Sequence, residues 1–172
     1  ITAIKILKQI EAENRTATPE EQKQLSLYSG WGGLANAFAS DNDKWENEYS
    51  ELKELLTADE YTAARSSVLD AFFTDSVIID SIYNVVQSAG FKGGNILEPA
   101  MGIGNFFGRL PSDLRENSKL YGVEKDSLSG RIAQKLYRQA DIMIDGFENE
   151  YFQSDKTNCN ELLLLRLKGV CI

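Results

Sequence analysis

The run Ile96-Leu97-Glu98-Pro99-Ala100-Met101-Gly102-Ile103-Gly104-Asn105-Phe106-Phe107 restricts the possible folds of this chain more than any other feature. A short β-rich segment enters a turn with two glycines and then a helix start, so backbone can approach a neighbour closely where no Cβ intervenes. In doubly wound α/β folds such a turn lies at the carboxyl edge of the sheet, where nucleotides bind. The surrounding pattern alternates in the same sense: strands are expected near residues 95–98, 120–124 and 141–144, with helices from 104 and near 128–138. That order predicts an α/β fold whose parallel strands are joined by right-handed crossovers.

The first 69 residues read as helical. Ile4, Leu7 and Ile10 form an apolar stripe at helical spacing, and Thr18-Pro19-Glu20-Glu21 supplies an N-cap, a first-turn proline and first-turn acids for a helix expected to run to Gly30. Residues 41–56 carry Trp45, Leu52 and Leu55 among many charges, as in a one-sided amphipathic helix. Thr57-Ala58-Asp59-Glu60 matches a capping box, so another helix begins there. Thr74-Asp75 can cap a further helix, with Val77, Ile78, Ile82, Val85 and Val86 as its expected buried face and Gly90 as its stop. Residues 1–69 are therefore read as an N-terminal helical region and 70–153 as a partial α/β domain. Residues 154–172 are left as an uncertain C-terminal segment or tail, in which 162–165 fits a strand, a helix or a tail.

Composition removes several kinds of chemistry. The 172 residues contain no histidine, so no Ser-His-Asp or Cys-His centre can be assembled, and Cys159 and Cys171 lack the spacing of a zinc site. No metal is expected. A formal charge of −8 argues against a broad phosphate-binding surface, because duplex affinity comes largely from Lys and Arg displacing counterions. The chain shows no apolar run of membrane-spanning length and no basic-then-apolar start, which gives the expectation of a soluble, cytoplasmic protein. The glycine spacing does not fit G-x-G-x-x-G, since Gly108 falls one residue late, and no G-K-[ST] follows to make a P-loop.

Glu98-Pro99-Ala100-Met101-Gly102-Ile103-Gly104 resembles motif I of S-adenosylmethionine (SAM) dependent methyltransferases. The resemblance implies a Rossmann-like SAM-methyltransferase fold with a partial parallel sheet, and SAM as cofactor. Glu98 would face the methionine amino group, and the backbone of Pro99, Ala100, Gly102 and Gly104 would lie against the ligand. Charge is consistent with this: a cationic sulfonium gains from a carboxylate at the turn, whereas a pyrophosphate is repelled by one. Tyr121-Gly122-Val123-Glu124-Lys125-Asp126 is similar to motif II, in which the acid, here Glu124, binds the ribose hydroxyls and Lys125 adjoins it. Asp145-Gly146-Phe147-Glu148 is a looser match to the adenine-binding position, through Phe147 and Glu148.

Upstream, Phe72-Phe73-Thr74-Asp75 resembles the aromatic-x-T-P element of adenine-N6 DNA methyltransferases, which closes over the methionine end of SAM. Phe73 and Thr74 are the positions carried over, and Asp75 stands where that family has proline. Tyr28-Ser29-Gly30-Trp31-Gly32-Gly33-Leu34 and Tyr61-Thr62-Ala63-Ala64-Arg65 resemble segments of the large methylase-helicase proteins of conjugative and phage elements. Adenine-N6 DNA methyltransferases flip their target base and hold it with [DN]-P-P-[FYW]. Pro19, Pro99 and Pro111 are the only prolines, and none builds that loop. No catalytic residue is assigned, and methyl transfer by this chain alone is not expected. DNA contacts are assigned to regions of a larger parent, and an open sheet edge is expected to permit self-association.

Each of these residues also has an ordinary structural explanation. Gly102 and Gly104 alone suit any strand-to-helix turn, Glu124 alone a solvated strand end, and Phe73 either core or cofactor wall. Trp31 and Phe147 read as packing residues, Glu148 as a surface charge, and the cysteines as inert. Two other functions stay open: a degenerate methyltransferase fold kept as an interaction or regulatory module, and a nucleotide-binding oxidoreductase, which the glycine spacing disfavours.

Overall fold

The computed structural model describes residues 1–69, 73–147 and the backbone of 162–164. Helix α1 (Thr2–Ala12) buries Ile4, Leu7 and Ile10 as the periodicity requires. Helix α2 (Pro19–Leu25) starts in a complete capping box, with Thr18 accepting from the Glu21 backbone and Glu21 accepting from that of Thr18. It ends at Leu25 instead of continuing to Gly30, since Ser26 already takes the C-cap and the chain turns away through Tyr28. A short 3-10 turn at Asp43–Trp45 leads into α3 (Glu46–Leu55), and the second capping box, Thr57 with Glu60, opens α4 (Ala58–Ser66).

Asp75 takes the N-cap of α5 (Ser76–Ser88), its Oδ1 accepting from Val77 N at 2.8 Å, so the residue standing in place of proline starts the helix by capping it. The buried face of α5 differs in part from the expected one. Ile79 and Tyr83 are buried and Ile82 packs against the same core as expected, Val86 is half-buried, while Val77 and Val85 are 69% and 68% exposed and Ile78 is also exposed. The helix is apolar on more than one side, and its rotation is set by tertiary bonds: Tyr83 Oη donates to Phe106 O at 2.8 Å, and Arg109 Nε donates to Asp80 Oδ1 at 2.5 Å.

The sheet is built from β1 (Gly94–Glu98), β2 (Ser118–Val123), β3 (Asp141–Met143) and β4 (Leu162–Leu164), in the order β3-β2-β1-β4 with every pair parallel. This is the strand order of a doubly wound Rossmann-like sheet, with its topological switch between β1 and β4. Ile96 pairs with Leu120 and Leu97 with Tyr121. The segment left open between strand, helix and tail thus supplies the fourth strand over Leu162–Leu164. Between β1 and β2 the expected single helix is two short ones, α6 (Asn105–Gly108) and α7 (Ser112–Glu116), because Pro111 cannot continue an α-helix. Helix α8 (Ser127–Leu136) joins β2 to β3 and stops two residues before the expected 138.

Two cores flank α8. One packs Tyr83, Ile96, Phe106, Phe107, Leu114 and Ala133 between sheet and helices. The other joins Ile4, Leu7 and Ile10 of α1 and Leu25 of α2 to Ile103, Leu128 and Ile132. At that second junction Arg131 bridges Glu11 (3.0 Å) and Glu60, and Lys8 Nζ reaches Glu60 at 2.8 Å. The N-terminal helices and the sheet unit therefore share buried side chains and a part-buried ionic cluster centred on Glu60. Among the described residues no helix is long and apolar enough to cross a membrane, and no group of three or more His, Cys, Asp or Glu is placed to hold a metal.

Candidate functional site

The site is assembled at the carboxyl ends of β1 and β2. Beyond Glu98 the chain turns through Pro99 and Ala100; Met101 N donates to Val123 O at 3.0 Å, and Gly104 N closes the turn on Met101 O at 2.8 Å. Gly102 and Gly104 both have left-handed φ, +58° and +84°. Few side chains tolerate that conformation, which is the local reason for glycine at both positions. The turn ends in α6, with Gly104 as its N-cap residue.

Across from this turn, β2 delivers Glu124. Its Oε2 accepts from Gly102 N at 2.5 Å and its Oε1 from Asp126 N at 2.8 Å. The carboxylate is 9% exposed, so the two residues singled out on separate segments meet directly in a buried, charge-assisted bond. Sequence reasoning identified both residues without anticipating that each holds the other. A carboxylate has about four acceptor positions, so two backbone donors leave two for ligand hydroxyls.

Glu98 is buried as well, 5% exposed at the end of β1, on the side of the sheet that Ile96 presents to the helices. Its charge is felt by two phenols. Burial and then Glu98 push Tyr137 up to about 12, with Arg115 opposing, and the same two causes in the same order raise Tyr83. Phe73 and Thr74 are half-buried ahead of α5, Ala100 and Lys125 are exposed, and Phe147 is half-buried after β3. Gly146 N donates to Asp145 Oδ1 at 2.7 Å, forming a local turn there. Glu148 lies outside the described residues.

The space beside the glycines bears on whether SAM fits. A Cβ on Gly102 would come within 2.6 Å of Phe73 Cε1, and one on Gly104 within 2.5 Å of Tyr137 Cε2 and 3.1 Å of Met101 Cε. Phe73 therefore lies against the glycine turn, and Tyr137 at the end of α8 is a neighbour that the sequence did not reveal. The donor and acceptor set suits a nucleoside bearing a sulfonium: carboxylates at the ends of β1 and β2, backbone at the turn, an aromatic ring beside it. Gly102→Ala is expected to lower stability by about 1–3 kcal/mol, because alanine adopts this φ under strain and its methyl meets Phe73. A urea melt against the parent chain checks this.

No family model and no curated protein matches the chain. Among solved structures it is similar to a Listeria monocytogenes protein assigned to the class I SAM-dependent methyltransferases, at 17% identity and a TM-score of 0.41 over 65% of this chain. The chain spans 41% of the length of that protein.

Proposed function

We propose that this chain is the cofactor-binding portion of a SAM-dependent adenine-N6 DNA methyltransferase. The observation that carries the proposal is the meeting of Gly102 and Glu124: a glycine turn after β1 and a carboxylate after β2 join at the sheet edge beside the topological switch, where doubly wound folds take nucleosides. In this reading Glu124 accepts from the ribose hydroxyls through its two remaining acceptor positions, while the backbone of the Gly102–Gly104 turn borders the ligand and its missing Cβ atoms admit the Phe73 and Tyr137 rings. Glu98 and Thr74 serve the methionine end, Phe73 walls it, and Lys125 and Phe147 border the adenine. SAM, when bound, supplies a methyl group on a positively charged sulfur. The side chains named here bind and orient it, and the 172 residues hold no [DN]-P-P-[FYW] loop to present a base. The adenine-N6 and DNA assignment rests on the aromatic-x-T element preceding β1 and on the methylase-helicase resemblance, with DNA held by other parts of a larger protein.

A second reading, a degenerate module of this fold with an interaction or regulatory role, is favoured by one observation. The Phe73 ring and the Tyr137 ring fill the space over Gly102 and Gly104.

Calorimetric titration with S-adenosylhomocysteine separates the two. The cofactor reading expects saturable one-site binding that weakens at least about tenfold in Glu124→Gln, the loss of one charge-assisted bond of about 1.5–3 kcal/mol. Absence of binding to a folded parent chain contradicts the cofactor reading and supports the second.

A further inference from the structure

We propose that Tyr28 and Trp31, from the N-terminal helical region, are part of the same site: their hydroxyl and indole N–H complete the ribose-binding edge that Glu124 begins. This inference rests on the cofactor reading above.

Tyr28 and Trp31 are 7% and 5% exposed, and neither Tyr28 Oη nor Trp31 Nε1 has a hydrogen-bond partner among the described residues. A buried polar group left unpaired costs about 1–3 kcal/mol, and native structures keep few of them. Here two occur together. The rings meet edge to face with centroids 6.2 Å apart, and the loop that carries them is fixed by Leu34 N donating to Trp31 O at 3.0 Å and Gly33 N to Val68 O at 2.9 Å. The Tyr-Ser-Gly-Trp-Gly-Gly segment thus forms a rigid platform, and packing alone does not account for its two unused donors.

The platform packs in one core with Ile103 of the glycine turn and Leu128 at the start of α8, and Phe73 lies against that core. The turn after β2 lies close enough to Tyr28 to act on it: burial and then the charge of Asp126, with a smaller share from Glu124, raise the phenol above its ordinary range, while the neighbouring Ser129 hydroxyl and Trp31 indole, near the phenol oxygen but outside hydrogen-bonding geometry, oppose the rise. That turn is already bonded internally: Glu124 accepts from two backbone N–H groups, and Asp126 Oδ2 accepts from Ser129 N at 2.9 Å and Ser129 Oγ at 2.5 Å. The edge therefore combines carboxylate acceptors with unused neutral donors. A vicinal diol matches that combination, since each hydroxyl donates one hydrogen bond and accepts others. A ribose hydroxyl can donate to Glu124 while accepting from Tyr28 or Trp31.

The test is a double-mutant cycle on the full chain, with S-adenosylhomocysteine as the probe. Tyr28→Phe removes a hydroxyl that makes no hydrogen bond of good geometry among the described residues, so the melting temperature of the ligand-free protein should stay level or rise. Affinity should fall at least about fivefold. Combining Tyr28→Phe with Glu124→Gln should weaken binding by less than the product of the two single effects, because both groups hold the same diol. Unchanged affinity in Tyr28→Phe, or a fully multiplicative double effect, overturns the inference and leaves the cofactor reading standing, provided the parent binds and Glu124→Gln weakens it. A folded parent chain that does not bind the probe overturns both.

Discussion

Glu60→Ala is expected to lower the unfolding free energy by about 3 kcal/mol at pH 7, toward the low end for breaking a buried ion pair. Glu60 is 8% exposed and accepts from Lys8 Nζ, Arg131 Nη2 and Thr57 N, so one carboxylate closes the α4 cap and joins α1 to α8. Its removal leaves Lys8 without its carboxylate and Arg131 with Glu11 alone. The lower figure applies because Lys8 and Arg131 keep 28% and 25% of their side-chain surface in water. The loss should also depend on pH. Burial pushes the Glu60 carboxyl upward, but Lys8, the Thr57 backbone and Arg131 outweigh it and hold the group below its ordinary value. A depressed carboxylate stabilises the fold above its unfolded pKa of about 4.3 and loses that contribution as pH falls through the folded value. Urea unfolding of parent and variant should therefore diverge most near neutrality and converge below about pH 4. A gap that persists undiminished into acid would contradict this account of the cluster.

Ile132→Ala is expected to cost about 3 kcal/mol, within the usual range for emptying a fully buried aliphatic position. Ile132 is fully buried in the core that α8 shares with α1 and α2. Because that core is common to the helical region and the sheet unit, the whole chain should melt in one transition and the variant should move it as a unit. Val85→Ala, on the open face of α5, should change stability by no more than about 0.5 kcal/mol. Scanning calorimetry of the three proteins checks both statements, and two separate transitions in the parent would show the regions to be independent.

Features with local causes were legible in the sequence. Both capping boxes form as read, because Thr18 with Glu21 and Thr57 with Glu60 satisfy their own backbone donors without help from elsewhere. The strands β1 to β3 were legible from their alternation with helices, whereas the pairing of β1 with Leu162–Leu164, more than 60 residues on, was not. The misreadings occur where distant residues decide. The orientation of α5 depends on the Phe106 carbonyl, 23 residues away, because Val77, Ile78, Val85 and Val86 make more than one face apolar enough to bury. The engagement of Glu124 with Gly102 spans 22 residues, and that of Arg131 with Glu60 spans 71. Trp31 reads as a packing residue, and packing is what its ring does; that its indole N–H and the Tyr28 hydroxyl make no hydrogen bond among the described residues emerges only in three dimensions.

The most direct test of the cofactor site is to follow backbone amide resonances of the full chain while S-adenosylhomocysteine is added. Saturable shifts centred on Gly102, Gly104, Lys125 and Asp126, with those around Arg138 and Lys119 at the opposite end of the sheet unmoved, are the predicted result. Saturation without movement at Gly102 and Asp126, or no shifts at all in a folded sample, would contradict a cofactor site at the ends of β1 and β2.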